Sequence, residues 1–200
     1  MQVWDSRRSK ALAHACFWAP ETYLSWTARL ARPKDLVCLG YYARPDFNSP
    51  STASSYKKKT NQGTLPPMML EISDMGKVGL FSGSKRQKDI INKILPHPLR
   101  FQHVFAKMTL KDCICFWKAV PPSDDYVALG MIATNSQEQP PQDCMRCIPK
   151  QWVVKTDVVA RKVWDDTGMA GRPGSVWQVH LEYAVVVCVW CVCVCVYYYI

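Results

Sequence analysis

Two cysteine pairs have the spacing that comes nearest to a chemical motif in this chain. Cys144 and Cys147 form a Cys-x-x-Cys pair, which is half of a typical zinc site, and Cys113 and Cys115 could supply two further thiolates. Cys115, however, directly precedes a Phe-Trp pair, and so does Cys16 near the N-terminus. Because this placement is typical of a repeated strand, we interpret the cysteines as buried structural residues and expect no metal site.

Other groups that could catalyse a reaction lack recognisable partners. The sequence has no Gly-x-Ser-x-Gly motif and no glycine-rich phosphate-binding loop. The acidic pairs Asp124-Asp125 and Asp165-Asp166 stand among residues that favour turns. We therefore expect a protein that is not an enzyme, with no catalytic residue and no cofactor. The histidines, none of which has the spacing of a ligand pair with a carboxylate, are His14, His97, His103 and His180.

Length and composition predict a folded domain with a basic surface. Of the 200 residues, 48% are hydrophobic, which is enough to bury a sizeable core in one domain or two small ones. The formal charge of +9 favours anionic partners such as acidic lipid, RNA or an acidic protein, and does not choose among them. The basic clusters at Lys57–Lys59 and Lys85–Lys88 are expected to lie in solvated loops.

The N-terminus and the cysteines indicate the compartment. Arg7 and Arg8 are followed by no continuous apolar stretch, so we expect no secretory signal. Without such a signal, the ten cysteines are expected to be reduced thiols of a cytoplasmic protein.

Short sequence motifs, here called words, recur along the chain and indicate an internal repeat. A Cys-Phe-Trp word ends at Trp18 and again at Trp117, and a Val-x-Leu-Gly segment follows each copy. Val-Trp-Asp at the N-terminus precedes the first copy, and the same word around Trp164 precedes Trp177 at almost the same distance. The first copy also carries an extra segment around Trp26. We infer a unit made of Trp-Asp, a polar turn, an aromatic strand ending in Trp, a Pro-rich bend and a strand with Leu-Gly.

The repeat predicts an all-β fold of short antiparallel strands, in a sandwich-like or blade-like module that is incomplete at its C-terminus. Strands are predicted at 113–117, 126–133, 144–148, 151–154 and 175–181. Trp18, Trp117 and Trp177 are expected to fill the interior of successive units, and Gly130 to mark a bulge or a close approach. The residues predicted to anchor the repeat are Trp18, Leu39, Gly40, Trp117, Tyr126, Leu129, Gly130, Trp164 and Trp177.

The chain is divided by composition into five segments. These are a first repeat unit at 1–45, a loop-rich insert at 46–109, a second unit at 110–160, the start of a third unit at 161–181 and an aberrant tail at 182–200. In the insert, a short helix is predicted at 85–95, between a capping Ser84 and a terminating Pro96. Its expected apolar face consists of Ile90, Ile91, Ile94 and Leu95.

The tail has an unusual composition, with no charged residue after position 183 and a run of alternating valine and cysteine. Valine codons begin with GT and cysteine codons with TG, so Val192–Val196 resembles a translated GT repeat. We interpret the tail as a retained intron or a gene-prediction error that interrupts the fold near His180. Two alternatives stay open: a short membrane anchor, since spanning takes about 20 apolar residues, or an aggregation-prone edge strand.

The second unit also resembles a known family. The segment Phe-Trp-x-x-Val-Pro-Pro-x-x-x-Tyr-Val-Ala-Leu-Gly at 116–130, followed by Pro140-Pro141 and Met145–Ile148, is similar to a segment of the vacuolar protein sorting thirteen family of bridge-like lipid transfer proteins. The resemblance covers 110–179 well and 3–43 more loosely. Lys118-Ala119 and Ser123–Asp125 depart from the pattern of that family.

The resemblance implies a function in targeting. In that family, such repeats form an adaptor-binding β region that captures proline-containing motifs, and a β module can hold such a segment by strand addition. The implied partners are adaptor proteins with proline-containing motifs, with peripheral contact at organelle membranes and no nucleic acid. The implied whole is an intermembrane lipid transfer protein of membrane contact sites. A small tail-anchored membrane protein and a basic nucleic-acid-binding β module are the alternatives.

Overall fold

The structure, a computed structural model, describes residues 1–20, 34–47, 68–73, 84–109, 112–155, 159–180, 185–190 and 198–199. Within these ranges the chain consists mainly of short strands in small antiparallel sheets, together with one short α-helix. The predicted all-β class is therefore confirmed. The segments around Trp26 and Lys57, which carry separate predictions above, lie outside the described residues.

Most elements are short because prolines, glycines and polar turn residues interrupt the β-forming segments. The helices of the described ranges are α1 (Ser84–Ile94) and the 3-10 turns η1 (Ser6–Arg8), η2 (Gln142–Cys144) and η3 (Lys150–Trp152). The strands are β1 (Gln2–Asp5), β2 (Cys16–Trp18), β3 (Lys34–Cys38), β4 (Tyr42–Arg44), β5 (Met69–Ser73), β6 (Arg100–Met108), β7 (Cys113–Val120), β8 (Tyr126–Val127), β9 (Met131–Thr134), β10 (Ile148–Pro149), β11 (Val154–Lys155), β12 (Arg161–Asp165), β13 (Ser175–His180), β14 (Val185–Trp190) and β15 (Tyr198–Tyr199).

Three sheets share one plan. Each has three antiparallel strands with the second strand in the centre, in the orders β1-β2-β4, β6-β7-β9 and β12-β13-β14. The first strand of each sheet is irregular at the same place, where one residue is skipped in the pairing: Val3, Val104 and Val163. A bulge that recurs at one position identifies the three sheets as copies of one unit.

The bulges place one aromatic residue of each first strand against the central strand. Rings of different sheets then touch, with centroids 5.7 Å apart for Trp4 and Trp164 and 5.1 Å apart for Phe17 and Phe116, both near edge-to-face. Such ring pairs add about 0.5–1.5 kcal/mol each to the stability that area burial provides. The core therefore lies where the three sheets face one another. The opposed pairs are Trp4 with Phe17, Phe105 with Phe116, and Trp164 with Val176, all buried.

The segments that lead into β4 and β9 meet beside this core. A Cβ added to Gly40 would lie 2.8 Å from the Cα of Gly130, which is closer than van der Waals contact allows. The Tyr41 amide donates a hydrogen bond to the Met131 carbonyl across the same contact, at 2.8 Å. Glycine occupies both positions because the two backbones leave no room for a side chain.

The strand predicted at 126–133 is two strands. β8 pairs with β10, whereas β9 pairs with β7, and the chain changes direction at Leu129-Gly130 between them. The first unit has an equivalent break: β3 pairs with β5, whereas β4 pairs with β2. The prediction of one continuous strand was wrong because the Leu-Gly pair is the point at which the first and second units move from one sheet to another.

The stretch after Pro141 also differs from the prediction. In place of strands at 144–148 and 151–154, the structure has η2, β10, η3 and β11. Pro141 and Pro149 precede the two 3-10 turns with φ of −63° and −57°. Proline fixes φ near these values and removes an amide donor, so the chain turns where a strand was predicted.

Strand β6 begins at Arg100, within the stretch that the sequence assigned to the insert, and is the first strand of the second sheet. Its burial does not alternate regularly: Phe101, Phe105 and Lys107 are buried, while Gln102 and His103 are exposed. The bulge breaks the period of two that identifies a half-buried strand. This irregularity hid the longest strand of the second unit from the sequence pattern.

Part of the tail belongs to the third sheet. β14 pairs with β13 over its whole length, and β15 pairs with β11. The third sheet therefore has a third strand in the structure, where the sequence predicted an interruption near His180. The rest of 181–200 lies outside the described residues. Across the described ranges, no helix is long and apolar enough to cross a bilayer.

Candidate interaction groove

An open groove of about 820 Å³ lies between the helix and the second unit. The C-terminal end of α1 forms one wall, and the turn before β8, the β8–β10 ladder and η3 form the other. The groove combines apolar, aromatic and charged side chains, as surfaces that bind peptides commonly do. Its lining consists of Lys93, Ile94, Asp125, Tyr126, Pro149, Lys150, Gln151 and Trp152.

Helix α1 is fixed to the core by one of two apolar stripes. Ile91 and Leu95 are buried, whereas Ile90 and Ile94 are 50% and 41% exposed. The four residues therefore do not share one buried face, and the prediction that grouped them was wrong. Ile94 is exposed on the wall of the groove because the stripe formed by Ile91 and Leu95 already fills the space against the core.

Arg146 holds the end of the helix in place. Its Nη1 donates hydrogen bonds to Asn92 Oδ1 at 2.7 Å and to the Leu95 carbonyl at 3.0 Å. Its amide donates to the Cys38 carbonyl at 2.9 Å, which joins the helix to both units. Burial lowers the pKa of the Arg146 guanidinium from its usual value, and the group stays charged at neutral pH. This wall of the groove is therefore preorganised.

The opposite wall is held by backbone bonds. The Lys150 amide donates to the Asp125 carbonyl at 2.7 Å, which extends the β8–β10 ladder into η3. Tyr126 Oη donates to the Lys93 carbonyl at 3.2 Å and so spans the groove. Trp152, at the end of η3, remains 41% exposed. An exposed tryptophan on a preorganised wall is a typical anchor for a partner.

A second exposed surface lies where the first and third units meet. The loop 6–15 and the loop 166–174 touch, since the Leu12 amide donates to the Thr167 carbonyl at 2.8 Å. Leu12 itself is 76% exposed. Arg8 and Lys10 on the first loop and Arg172 on the second are exposed cations. This surface, which we call the Leu12 surface, combines an apolar tip with positive charge.

The two loops have the same internal construction. Ser6 Oγ accepts a hydrogen bond from the Ala15 amide at 2.9 Å, and Asp166 Oδ1 accepts one from the Gly174 amide at 3.0 Å. Both residues are buried and both close their loop just before the central strand of the unit. The Val-Trp-Asp word that begins each loop is thus followed by a buried polar residue that sets the loop conformation.

Asp166 also forms a buried ion pair with Lys107 of β6. The Lys107 ammonium donates further hydrogen bonds to the carbonyls of Ala170, at 2.9 Å, and Arg172, at 2.8 Å. The ammonium thus has two carbonyl acceptors, and the Asp166 carboxylate balances its charge, as a buried lysine requires. The arrangement joins the second unit to the loop of the third and has a structural role.

Asp124 and Asp125 lie in a turn, whereas Asp165 ends β12 and Asp166 stands just before the turn that follows it. Asp165 accepts hydrogen bonds from Lys162 Nζ at 2.8 Å and from the Thr167 amide at 3.1 Å, and these bonds, that of Lys162 above all, lower the pKa of its carboxyl. Asp125 interacts with Ser123 of the same turn. Among the described contacts, neither Asp124 nor Asp166 forms an acid–base pair with Asp125 or Asp165.

The predicted cysteine pairs lie in a second apolar cluster. Cys115 and Cys147 are buried there, and Cys113 and Cys144 pack against it. Cys113 Sγ and Cys115 Sγ are 3.5 Å apart. Burial raises the pKa of Cys115 and Cys144 to about 12 and that of Cys147 to about 11, so all three are protonated at neutral pH. Within the described residues no three potential ligands come together to hold a metal ion.

The histidines are distributed over the molecule. His14 packs edge-on against Phe47 with ring centroids 5.2 Å apart, and His103 packs similarly against Trp117 at 5.1 Å. His97 Nδ1 lies 3.1 Å from the Met145 carbonyl. The side chain of His180 lies outside the described part of the chain. These contacts are all with apolar rings or backbone, and the groups form no common site.

The residues predicted to anchor the repeat occupy several kinds of position. Trp18, Leu39, Trp117, Leu129 and Trp164 are buried, Gly40 and Gly130 touch, and Tyr126 lines the groove. Trp177 is only half-buried, with its Nε1 donating to Ser175 Oγ at 2.8 Å. The large buried residue of the third unit is Trp164, because the bulge in β12 turns it toward the core.

Sequence reasoning did not identify Trp152 or the exposed residues of α1 as a site. The signal present in the sequence was the single tryptophan after Pro149 in a segment that repeats nowhere else in the chain. A large aromatic residue outside the repeat pattern is a candidate for binding, since packing of the unit does not explain it.

The fold and the groove together define a β module of three similar three-stranded sheets with an open amphipathic groove. The sequence model of the family "Vacuolar protein sorting-associated protein 62", Vps62, matches residues 22–183. This match covers most of the chain, and the chain belongs to the Vps62 family. It is therefore a protein related to vacuolar protein sorting.

The fold is also similar to a solved structure. The crystal structure of GNIP1Aa from Chromobacterium piscinae matches with a TM-score of 0.57 at 16% sequence identity, and the match covers 93% of this chain and 30% of that chain. The chain thus spans less than a third of the length of that protein, and the likeness shows the fold alone. A comparison with curated proteins gave no match.

The resemblance to the vacuolar protein sorting thirteen family was wrong, because the family that matches is Vps62. The residues that suggested it have structural roles. Trp117 is buried, with its Nε1 donating to Thr134 Oγ1 at 2.8 Å, and Gly130 lies against Gly40. Short β units in unrelated proteins use such residues for the same packing reasons. The implied lipid transfer and contact sites lose that support.

Proposed function

We propose that this chain is a non-enzymatic interaction module of vacuolar protein sorting that binds proline-containing segments of adaptor proteins. The observation that carries the proposal is the groove between α1 and η3, where a preorganised tryptophan and an exposed isoleucine face a common space. Grooves that bind polyproline II segments are lined by aromatic side chains, between which proline rings pack. Tyr126 and Trp152 supply such aromatic walls here.

The chemistry of the groove favours binding over catalysis. Its ionisable groups are Lys93, Asp125, Tyr126 and Lys150, and they come from four separate elements. The only carboxylate of the lining, that of Asp125, is engaged by Ser123 within its own turn. A proline-containing segment is extended before it binds, so it loses little conformational entropy on docking. These properties support a docking site for an extended peptide.

Calorimetry with a Pro-x-x-Pro peptide tests the proposal. We expect saturable binding to the wild-type chain, and no binding of the same peptide with alanine at both proline positions. Trp152→Ala should weaken binding at least about tenfold, or 1.4 kcal/mol, since it removes the exposed anchor. Leu99→Ala is the matched control, because Leu99 is 57% exposed and lies outside the groove. Equal affinity of the Trp152→Ala and Leu99→Ala variants would refute the proposal.

A second candidate, peripheral contact with organelle membranes, is favoured by the Leu12 surface. An apolar side chain that is 76% exposed on the same loop as the exposed Arg8 and Lys10 suits the boundary between anionic headgroups and acyl chains. Cations near such a surface contribute roughly 1 kcal/mol each to membrane attraction at physiological salt. This contact would place the module at a membrane while leaving the groove open to a protein.

Vesicle cosedimentation tests this candidate separately. We expect the chain to sediment with vesicles containing phosphatidylserine and to remain in solution with vesicles of phosphatidylcholine alone. Leu12→Asp should abolish sedimentation, and Leu99→Asp, which changes another exposed leucine, should not. Equal sedimentation with both kinds of vesicle, or equal loss in both variants, would rule out the Leu12 surface as a membrane contact.

A further inference from the structure

Two lysines of the groove stand at opposite ends of the Tyr126 side chain. Tyr126 Oη donates to the Lys93 carbonyl at 3.2 Å, and Asp125, the residue before Tyr126, accepts a hydrogen bond from the Lys150 amide at 2.7 Å. Lys93 belongs to α1 and Lys150 to η3, so the two cations come from opposite walls. A segment that docks on Tyr126 therefore lies close to a positive charge on either side.

Both ammonium groups are free to bind an acid of another molecule. Lys93 and Lys150 are exposed, and neither forms an ion pair within the part of the chain that the structure describes. Exposed or half-exposed basic residues elsewhere are paired with an acid two or three positions away in the chain. These pairs are Arg7 with Asp5, Arg44 with Asp46, and Lys162 with Asp165.

The groove also contains one acidic group. Among the described lining residues, Asp125 is the single carboxylate, and its Oδ2 accepts a hydrogen bond from Ser123 Oγ at 3.3 Å within its own turn. Two lysines and one aspartate leave the lining with a net positive charge, in keeping with the formal charge of +9 on the whole chain. The charge of the lining therefore favours an acidic segment over a neutral or basic one.

We propose that the segment bound by the groove carries acidic residues next to its prolines, with carboxylates that pair with Lys93 and Lys150. This inference rests on the proposed function of the groove and specifies the class of segment that the groove selects. The proline rings pack against Tyr126 and Trp152. Because a polyproline II segment has three residues per turn, the residue beside a proline points to a different side from the proline ring and can reach a lysine while the ring stays docked.

Calorimetry with two matched peptides tests the inference. Both peptides have blocked ends and two prolines separated by two alanines; one carries glutamate on the outer side of each proline, and the other carries glutamine there. With two exposed charge pairs formed, the acidic peptide should bind the intact chain at least about fivefold more tightly at low salt, about 50 mM. The difference should fall below about twofold at about 500 mM salt, because salt screens exposed charges.

Variants of the chain locate the charge recognition. The double variant Lys93→Gln with Lys150→Gln should bind the acidic and the neutral peptide with equal affinity. Each single variant should lose part of the preference. Lys118→Gln is the matched control, because Lys118 is exposed on β7 and is not part of the groove lining, and it should keep the full preference.

The outcomes separate this inference from the proposed function. Equal affinity of the two peptides for the wild-type chain at low salt would overturn the inference and leave the groove as a site for prolines. Absence of binding by either peptide would overturn both. A preference that persists in the double variant, or that disappears in Lys118→Gln, would place the charge recognition outside the groove and so refute the inference as well.

Discussion

At the residue scale, the ion pair of Lys107 and Asp166 shows how one contact joins two units. Lys107 is 5% exposed and Asp166 is 6% exposed, so both charges are removed from water. Removing one partner of such a pair leaves an uncompensated buried charge, whereas the pair itself contributes little net stability. The Asp166 carboxylate and the two carbonyl acceptors around the ammonium make its position specific to this fold.

Lys107→Ala should therefore destabilise the chain strongly. We expect a loss of about 3–5 kcal/mol in the free energy of unfolding, measured by urea denaturation, because the Asp166 carboxylate is left unpaired. Adding Asp166→Asn should restore part of the loss, since the amide removes the charge and keeps an oxygen for the Gly174 amide. Lys162→Ala, which breaks the more exposed pair with Asp165, should cost less than about 1 kcal/mol. Equal losses for the two lysines would contradict this account.

The buried thiols predict a loss of stability at alkaline pH. Burial raises the pKa of Cys38 and Cys147 from an ordinary 9.0 to about 11. Between pH 9 and 11 these thiols ionise in the unfolded chain and stay protonated in the folded chain, so ionisation favours unfolding. Their contribution is fully present below pH 9 and is lost as the pH rises through about 11. Urea midpoints from pH 8 to 11 should fall, and the fall should be shallower in Cys38→Ala and Cys147→Ala. Identical slopes in all three proteins would contradict the assignment.

At the element scale, helix α1 illustrates what a sequence pattern does and does not contain. A helix at 85–95 was predicted from Ser84, Pro96 and the apolar spacing between them, and α1 spans Ser84–Ile94. Which apolar stripe faces the core did not follow, because Ile90 and Ile91 are adjacent in sequence and either stripe could be buried. Contacts made by Arg146, more than 50 positions away, determine the choice.

Substituting the two neighbouring isoleucines one at a time distinguishes the buried stripe of α1 from the exposed one. Ile91→Ala removes a buried side chain and should cost about 2–5 kcal/mol in the free energy of unfolding. Ile90→Ala removes one that is half exposed and should change stability by less than about 0.5 kcal/mol. Chemical denaturation of the pair gives the comparison directly. A larger loss for Ile90→Ala would mean that the helix packs through its other stripe.

The contact between the two Leu-Gly pairs leads to a second prediction at this scale. Gly40 has φ of +150° and lies against the Gly130 backbone, whereas Gly171 has φ of +95° and faces open space except for Lys107 Nζ at 3.7 Å. We expect Gly171→Ala to cost roughly 1 kcal/mol from backbone strain alone, and Gly40→Ala to cost about 3 kcal/mol or more because overlap is added. Melting temperatures of the two variants give the order. A milder effect of Gly40→Ala would show that the two units do not meet at this glycine.

The sequence predicted the strands that carry regular patterns and missed those with bulges. Cys113–Trp117 and Ser175–Leu181 were predicted close to β7 and β13, since aromatic and β-branched residues alternate there. β6 was missed because its bulge at Val104 shifts the alternation. The pattern predicts strands at 144–148 and 151–154, where the structure has the end of η2, β10, η3 and the start of β11, because the apolar residues there do not reveal that proline starts a turn.

At the scale of the whole molecule, the three units are alike in plan and differ in what they expose. The first and third units meet at the Leu12 surface, and the second unit forms the groove with α1. A repeat can be found in a sequence, since its words return in order. The groove could not be, because it forms between elements that are far apart in the chain and that repeat nowhere else.

The family resemblance drawn from the sequence was limited in a similar way, because it depended on short repeated words. The words Phe-Trp and Leu-Gly identify a β unit, and the structure shows why: they fill the core and allow two backbones to touch. They do not distinguish one family of β modules from another. The match to Vps62 extends over 22–183, a far longer stretch than these short words.

The central claim, that the groove docks a proline-containing segment, is tested most directly by the indole N–H resonances of the eight tryptophans. Adding a Pro-x-x-Pro peptide to the 15N-labelled chain should shift the Trp152 resonance, assigned through Trp152→Phe, progressively to saturation. The resonances of Trp4, Trp18 and Trp164, which are buried in the core, should stay in place. An unmoved Trp152 resonance at saturating peptide, or equal shifts in the core tryptophans, would contradict docking in this groove.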